Sequence, residues 1–386
     1  MSGRSGERRR SDWRSRLAQA FILLSVGALI WFLVDTTVAN LQARGISTGF
    51  GFLWRVTSLP IPNTWLAYTA GVSTYGRAIA IGFLNTITVS VVVIVLATVL
   101  GTIIGVARLS SSWLMSRAAG AYVEAMRNVP VLLHLLFWYQ LLLKLPGPRR
   151  AFNPVTGVFI SNRGVRYPSL EMDTALVWTL LALVAGAVLA GFLARANRLH
   201  GERTGQGRRV WPLVLLAIMV PPLAAWQLTN ASLTIVLPEF VGFDIRGGSA
   251  MTPELAALVI GLTTYASAFV AEIVRAGIQG VPRGQREAAG ALGLRKTPTL
   301  RLVVLPQALR IIVPPMTSEY LGIIKNSSLA VAVGYPDLVA VVNSMMSDTG
   351  QAIEGVAIIM LAFLAISLAV SLFMNWYNAH VALTAR

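Results

Sequence analysis

The sequence predicts an all-α polytopic membrane protein with about eight transmembrane helices. Of its 386 residues, 55% are hydrophobic and only 12% are charged, whereas soluble domains carry about 25% charged residues. Apolar runs recur along the whole chain, and about 20 apolar residues are enough for a helix to cross a bilayer. A soluble protein with buried helices does not account for so many runs of this length.

The apolar runs give the order of the spans. Pro130 interrupts the third span and Pro314-Pro315 opens the seventh, which a membrane tolerates where neighbouring helices satisfy the freed carbonyl groups. The first run is longer than the apolar core of a signal peptide, about 7–15 residues, so we expect a retained helix. The predicted spans are 17–38, 79–107, 119–143, 174–194, 210–227, 254–276, 310–332 and 354–378.

The charge distribution predicts the orientation of the chain in the membrane. The formal net charge is +16, but the basic residues lie mainly in alternate short loops, including the N-terminal segment and the basic loop 195–209. The positive-inside rule therefore explains the charge better than nucleic-acid binding does, and it puts both termini in the cytoplasm. The loop 39–77 is then extracytoplasmic. The loop 144–173 is an exception, because it is basic and yet assigned to the outside.

Several kinds of chemistry are excluded by residue type. The chain has no cysteine and three widely separated histidines, so thiol chemistry and a histidine metal site are not expected. It also lacks the GxxxxGK[ST] phosphate loop, so it does not bind ATP in the P-loop manner. We predict that it is not an enzyme by itself and holds no cofactor of its own.

One motif between spans six and seven carries most of the functional information. Its alanines favour a helix that another backbone can approach closely, a left-handed glycine can end that helix, and Pro298 is expected to stop any continuation. Its glutamate offers a carboxylate to a basic partner. The alternative is an ordinary amphipathic connector helix with a solvated glutamate. The motif consists of Glu287, Ala288, Ala289, Gly293, Val303, Leu305 and Pro306.

This spacing resembles the EAA loop of ABC importer permeases: Glu-Ala-Ala, three residues, Gly, nine residues, then Val-x-Leu-Pro. The segments 82–110, 122–141, 264–289 and 305–334 are similar to helices of the polar amino-acid uptake permeases (the His/Glu/Gln/Arg/opine type). The resemblance is strongest for the large permeases of general L-amino-acid uptake systems.

The resemblance implies an architecture. A type I ABC importer (MetI-like) core of five helices would be enlarged by an N-terminal helix and by a two-helix insertion. We therefore predict an N-terminal region, 1–78, with the first transmembrane helix and a periplasmic loop, and a permease domain, 79–380, that contains the insertion, about 145–249.

The resemblance also implies partners. The EAA loop would dock on separate ABC ATPase subunits, which would bind the ATP and Mg²⁺. A related second permease subunit would complete a heterodimer, and a periplasmic amino-acid binding protein would deliver the substrate. The chain would lie in the bacterial inner membrane, in contact with lipid and without nucleic acid.

Charged residues inside or beside spans are candidates for a translocation path, because charge in a membrane usually faces a cavity or a partner. The amino-acid substrate that the resemblance implies carries both a carboxylate and an ammonium group, so arginine and glutamate together would suit it. Solvated helix ends and structural ion pairs are the alternatives, and for Glu272 with Arg275 a local ion pair is favoured over a gating role. The path candidates are Glu124, Arg127, Asn128, Glu319 and Lys325.

Two other functions remain open from the sequence. An ion-coupled secondary amino-acid transporter would need no ATPase, but such proteins often show internal repeats, and none is apparent. A membrane-embedded structural or signalling protein would use the loop for another partner. Both leave the EAA spacing unexplained.

Overall fold

The computed structural model describes residues 5–43, 49–62, 66–170, 174–204, 210–229 and 234–381. Arg4 and parts of the predicted loops 39–77 and 195–209 lie outside these ranges. The chain divides into two compact units. Unit 2 is Tyr139–Ala256, and unit 1 comprises the described residues on either side of it.

Unit 1 is built from helices. Those wholly within it are α1 (Ser5–Ala43), α2 (Tyr75–Ala107), α3 (Trp113–Asn128), α8 (Arg283–Ala291), α9 (Lys296–Pro298), α10 (Leu305–Asn326), α11 (Leu338–Thr349) and α12 (Ala352–Val381). The boundaries between the units fall within α4 (Val131–Leu143) and α7 (Pro253–Gln279). A π-helical segment, Thr299–Val304, joins α9 to α10, and 3-10 helices occupy Phe50–Trp54 and Ser327–Val333.

The predicted all-α membrane fold is confirmed, with seven long apolar helices and one shorter one in the described part of the chain where about eight spans were predicted. Seven described helices are long and apolar enough to cross a membrane, and α4 is a shorter apolar helix of 10–17 residues. The seven are Leu17–Thr37, Tyr75–Ala107, Ala175–Gly201, Trp211–Thr229, Pro253–Gln279, Thr299–Val333 and Ala352–Ala379.

The third predicted span, 119–143, is not one helix. Val129 is extended, with φ −102° and ψ 130°, and it separates α3 from α4. The reason is local, because the ring of Pro130 clashes with a helical conformation of the residue before it. The sequence located the interruption correctly but not the separation into two short helices.

The region of the seventh span also differs from the prediction. Pro314 and Pro315 lie inside α10 rather than at its start, since helical structure already begins at Lys296. The loop predicted after this span contains α11, whose buried residues Leu338, Val341, Val342 and Met345 follow helical spacing.

Helices α2 and α7 approach each other unusually closely. A Cβ atom added to Gly101 would lie 2.7 Å from the Ser267 carbonyl oxygen, and one added to Gly105 would lie 2.6 Å from the Ala271 carbonyl oxygen. These two glycines are four residues apart, the spacing that lets membrane helices pack backbone to backbone. The contact therefore depends on the absence of side chains on one face of α2.

The segment before α2 folds back onto α11. Phe52 and Tyr75 are buried in one apolar cluster with Leu338, Val342 and Met345. The backbone of Gly49 is held on both sides, because its N–H donates to Glu354 at 2.6 Å and its carbonyl accepts from Gln351 at 3.0 Å. The described part of the loop 39–77 is thus an ordered cap on this end of unit 1.

Unit 2 combines a helical hairpin with three small antiparallel sheets that the sequence did not predict. The hairpin consists of α5 (Thr174–Thr204) and α6 (Trp211–Thr229), and a Cβ atom on Gly186 would lie 2.3 Å from the Ala217 carbonyl oxygen. The sheets have the orders β1-β2-β3-β8, β4-β5 and β6-β7. Their strands are β1 (Phe152–Val155), β2 (Val158–Ser161), β3 (Gly164–Tyr167), β4 (Ser169–Leu170), β5 (Ile235–Val236), β6 (Glu239–Val241), β7 (Asp244–Arg246) and β8 (Ser249–Met251).

These sheets supply a physical account of the basic loop 144–173. Arg163 forms an ion pair with Asp244 at 2.7 Å, and Arg166 donates to the Gly247 carbonyl oxygen at 3.1 Å. Arg149 lies over the ring of Phe243, 4.1 Å from its centroid. The arginines are therefore engaged by the segment after α6 within a β-structured region, and domains translocate largely regardless of their charge.

Asp337, which caps α11, generates a pH-dependent prediction. The residue is buried, one carboxylate oxygen accepts from the Ala340 N–H at 2.8 Å, and the other has no hydrogen-bond partner in the described part of the chain. Burial raises the pKa of the Asp337 carboxyl from 3.8 to about 7. In that range the folded protein binds more protons at this site than the unfolded chain, so its stability falls as pH rises.

The stability of the Asp337→Asn variant should therefore fall less than that of the wild type as the pH rises from about 4 to about 7. The reason is that asparagine caps a helix equally well and does not ionise. Thermal unfolding of the detergent-purified protein across this range measures the effect, with Glu239→Gln, an exposed position, as the matched control. A variant with an unaltered pH profile would contradict the prediction.

Candidate functional site

The predicted motif begins on a short exposed helix. Glu287, Ala288 and Ala289 lie in α8, where Ala289 is buried and the other two are exposed. Glu287 forms no ion pair with any residue that the structure describes. Its carboxylate is therefore available to a basic group on another molecule.

Gly293 ends this helix in the predicted left-handed conformation, with φ 77°. The N–H of Leu294 donates to the Ala289 carbonyl oxygen at 3.1 Å, and the Gly293 N–H donates to the Gly290 carbonyl oxygen at 2.9 Å. This pair of bonds is the Schellman arrangement, which satisfies carbonyl groups at the end of a helix. The turn fixes the direction in which the chain leaves α8.

The second half of the motif starts the next helical segment. Val303 lies in the π-helical segment, and Leu305 and Pro306 begin α10. The prediction that Pro298 stops a helix is wrong. Pro298 instead lies in the first turn of the helical segment that begins at Lys296, where its missing N–H costs no hydrogen bond. The turn at Gly293 provides the break instead.

Apolar side chains surround the exposed helix. Leu292 is 81% exposed, Leu302 66% and Leu300 50%. Exposed apolar residues that cluster beside a polar rim are typical of a protein interface. Glu287 and Leu292, five positions apart, are both exposed, so this end of the loop offers an acidic and an apolar side chain to another molecule.

Two hydrogen bonds hold α8 against the helices on either side. Arg286 donates to the Ile278 carbonyl oxygen in α7 at 2.8 Å. Gln307 in α10 donates to Gln285 in α8 at 3.3 Å. Helix α8 is therefore connected by a hydrogen bond to each of α7 and α10.

The pair Glu272 and Arg275 is part of a larger cluster. Glu272 forms ion pairs with Arg275, as the sequence predicted, and also with Arg108 at the end of α2. The sequence could not reveal this second partner, because the two residues are 164 positions apart. The carboxylate thus ties α2 to α7 just before the chain enters α8.

Two of the five path candidates, Arg127 and Glu319, lie within electrostatic range of each other. The Arg127 guanidinium is 5.1 Å from the ring centroid of Phe269, and it interacts electrostatically with Glu319. Tyr265 interacts with both charged groups. The sequence missed the two aromatic residues, although both lie on α7 four positions apart, on one helix face.

For the other three candidates the described residues show no contact with Phe269 or Tyr265, although Glu124 and Asn128 lie on the same helix as Arg127. Glu124 and Asn128 are exposed on α3, and Lys325 is exposed near the end of α10. The hydroxyl groups of Ser327 and Ser328 donate to the carbonyl oxygens of Ile324 and Lys325, both at 2.7 Å. These two serines therefore stabilise the end of α10.

Known proteins identify the class of molecule. Residues 208–383 match the family described as "Binding-protein-dependent transport system inner membrane component". The chain is 46% identical over 375 residues to the "Putative amino-acid ABC transporter permease protein YhdX" of Escherichia coli, with 97% of this chain and 95% of that protein covered. The chain belongs to this permease family. The resemblance inferred from the EAA spacing is thereby confirmed.

The chain is also similar to a second permease and to a solved transporter structure. The "General L-amino acid transport system permease protein AapQ" of Rhizobium johnstonii is 41% identical, with 97% of this chain and 94% of that protein covered. A solved structure titled "Crystal structure of an amino acid ABC transporter with histidines" is 20% identical, with a TM-score of 0.47, and covers 79% of this chain and 95% of its own. The membership supports an ABC importer permease and not the ion-coupled alternative.

The turn at Gly293 generates a prediction. A Cβ atom at Gly293 would meet no atom within 4 Å, so Gly293→Ala costs only the strain of the left-handed conformation, about 1–2 kcal/mol. Amide hydrogen exchange of residues 289–294 should therefore become about tenfold faster.

Gly284→Ala is the matched control, because Gly284 lies in α8 and also has open space around it. Alanine is the better helix former there, so exchange should stay the same or slow down. Equal exchange rates in the two variants would contradict the proposed role of the turn.

Proposed function

We propose that this chain is a transmembrane permease subunit of an ATP-driven importer of L-amino acids, coupled to its ATPase through residues 287–306. The observation that carries the proposal is the exposed helix α8, with exposed leucines beside it and with Glu287, which forms no ion pair within the described part of the chain. The names of the two relatives, an amino-acid ABC transporter permease and a general L-amino acid transport permease, support the substrate class.

The energy would come from other subunits. Two cytoplasmic ATPases would bind ATP and Mg²⁺ and close on each other during the cycle. Each would hold one EAA loop, with a basic or apolar cleft receiving Glu287 and Leu292. Because α8 is bonded to α7 through Arg286 and to α10 through Gln307, closure would move both helices together as rigid bodies.

The proposed docking on a cytoplasmic ATPase also implies how the chain is oriented in the membrane. The EAA loop must face the cytoplasm to reach an ATPase, and the basic loops predict that both termini lie on that side. The membrane would be the bacterial inner membrane. A periplasmic amino-acid binding protein would deliver substrate on the opposite side, and a related second permease would form a heterodimer with this chain.

We propose that Arg127 and Glu319 contribute to the translocation path, with Glu124, Asn128 and Lys325 as further candidates. An arginine and a glutamate on different helices offer partners to both charged groups of an amino acid. The aromatic ring of Phe269 beside the guanidinium would orient the arginine through a cation–π contact.

The coupling role is tested by Glu287→Lys. A lysine would oppose a basic docking cleft, so copurification of the ATPase and ATP-driven uptake should be lost while membrane insertion persists. Glu239→Lys makes the same charge change on β6 and should preserve both activities. Uptake that persisted in Glu287→Lys and followed a proton or sodium gradient would overturn the proposal.

The path role is tested by Arg127→Gln. Loss of one charge-assisted hydrogen bond to a carboxylate, about 1.5–3 kcal/mol, should raise the KM for uptake at least about tenfold. Arg117→Gln, on the same helix α3 and also exposed, should have no effect. Competition with acidic, basic and neutral amino acids would show whether Arg127 and Glu319 select the side chain of the substrate. An unchanged KM in Arg127→Gln would contradict a place for Arg127 on the path.

A further inference from the structure

A cavity of about 880 Å³ lies between the EAA loop and the ends of the helices around it. Its walls include Ala107 at the end of α2, Gln279 at the end of α7, and Thr299 at the start of the π-helical segment. These same residues are the ends of three membrane spans. The cavity is therefore at the level where a bilayer meets the cytoplasm in the proposed orientation.

The lining is mostly apolar with one cationic group. Val106, Met115, Ile278 and Leu300 contribute hydrocarbon surface. Met115 is 53% exposed and Leu300 is 50% exposed, so the cavity is accessible from outside the unit. An apolar cavity that opens at a membrane surface suits the first segment of a lipid acyl chain.

Arg286 supplies the charge. It lines the cavity and uses only one described hydrogen bond, to the Ile278 carbonyl oxygen. A guanidinium has five N–H donors and binds phosphate in a fork geometry. Nearby, α3 begins at Trp113 without a side-chain cap, and the N-terminus of a helix also favours an anion.

We propose that this cavity binds an anionic phospholipid, with its phosphate on Arg286 and the start of an acyl chain among the apolar residues. The lipid would bridge the ends of α2 and α7 to the EAA loop. Loss of the lipid would leave α8 less firmly held. The effect on uptake rests on the proposed function, but lipid binding is measured independently of transport.

The decisive measurement is native mass spectrometry of the permease–ATPase complex, purified in mild detergent and titrated with phosphatidylglycerol. Arg286→Gln should lower the bound phosphatidylglycerol about tenfold, as expected for a lost charge-assisted bond. Arg283→Gln, on the same helix but outside the cavity lining, should not. Equal lipid occupancy in these two variants would overturn the proposal.

Arg286→Gln also removes the hydrogen bond to the Ile278 carbonyl oxygen, so a second variant is needed that blocks lipid binding and leaves this bond in place. Gly290 lines the cavity, and a Cβ atom there would meet no atom within 4 Å, so Gly290→Phe can fill the space while Arg286 is kept. Its complex should lose bound phosphatidylglycerol. Retention of the lipid in this variant would contradict the assignment of the site.

Protein could fill the cavity instead. The chain has no cysteine, so Met115→Cys, which lies in the cavity lining but outside residues 287–306, introduces a single thiol for crosslinking. Crosslinking of this thiol to an ATPase or to a second permease in the resting complex would assign the cavity to that partner and overturn the proposal. Modification by a maleimide-bearing lipid in vesicles, without a protein crosslink, would support it.

Function then provides a separate readout. ATP-driven uptake in vesicles of phosphatidylcholine with phosphatidylglycerol should exceed uptake in phosphatidylcholine alone. Uptake driven by an ion gradient would refute the proposed function while leaving the lipid measurement valid. Inorganic phosphate added to phosphatidylcholine vesicles should not replace the lipid, and if it did, the site would be a phosphate site.

Discussion

The backbone contact between α2 and α7 is the constraint on which the site depends. Gly101 and Gly105 bring the two helices so close that any side chain on that face of α2 would overlap the backbone of α7. The Glu272 carboxylate then joins the helix ends through Arg108 and Arg275. Since α7 leads directly into α8, the position of the EAA loop is set by this contact.

The loop itself combines fixed and exposed parts. Its backbone is fixed by the turn at Gly293 and by the bonds from Arg286 and Gln307. Its outer surface carries exposed leucines and Glu287, which has no ion-pair partner among the residues that the structure describes. This division suits a coupling element, because a rigid backbone transmits a displacement and an unsatisfied surface provides the place where another molecule applies it.

The sequence predicted the features that depend on local pattern. Hydrophobic length gave the membrane helices, and residue spacing gave α8 and the left-handed Gly293. Features that depend on distant partners were missed, including the ion pair of Arg108 with Glu272 and the approach of Arg127 to Phe269. Short strands such as β6 and β7 were also missed, since two or three residues carry too little periodicity to be recognised. Pro298 was misread because a proline signals both the end of one helix and the beginning of another.

The π-helical segment Thr299–Val304 has a consequence for the geometry of the whole subunit. The N–H of Leu305 donates to the Leu300 carbonyl oxygen, so this turn contains one residue more than an α-helical turn. Each residue in an α-helix corresponds to a rotation of about 100°. Removing one residue here would therefore turn every later side chain of α10, including Glu319, away from its present direction. The segment therefore sets the rotation of α10 between the surface proposed to receive the ATPase and the face proposed to meet the substrate.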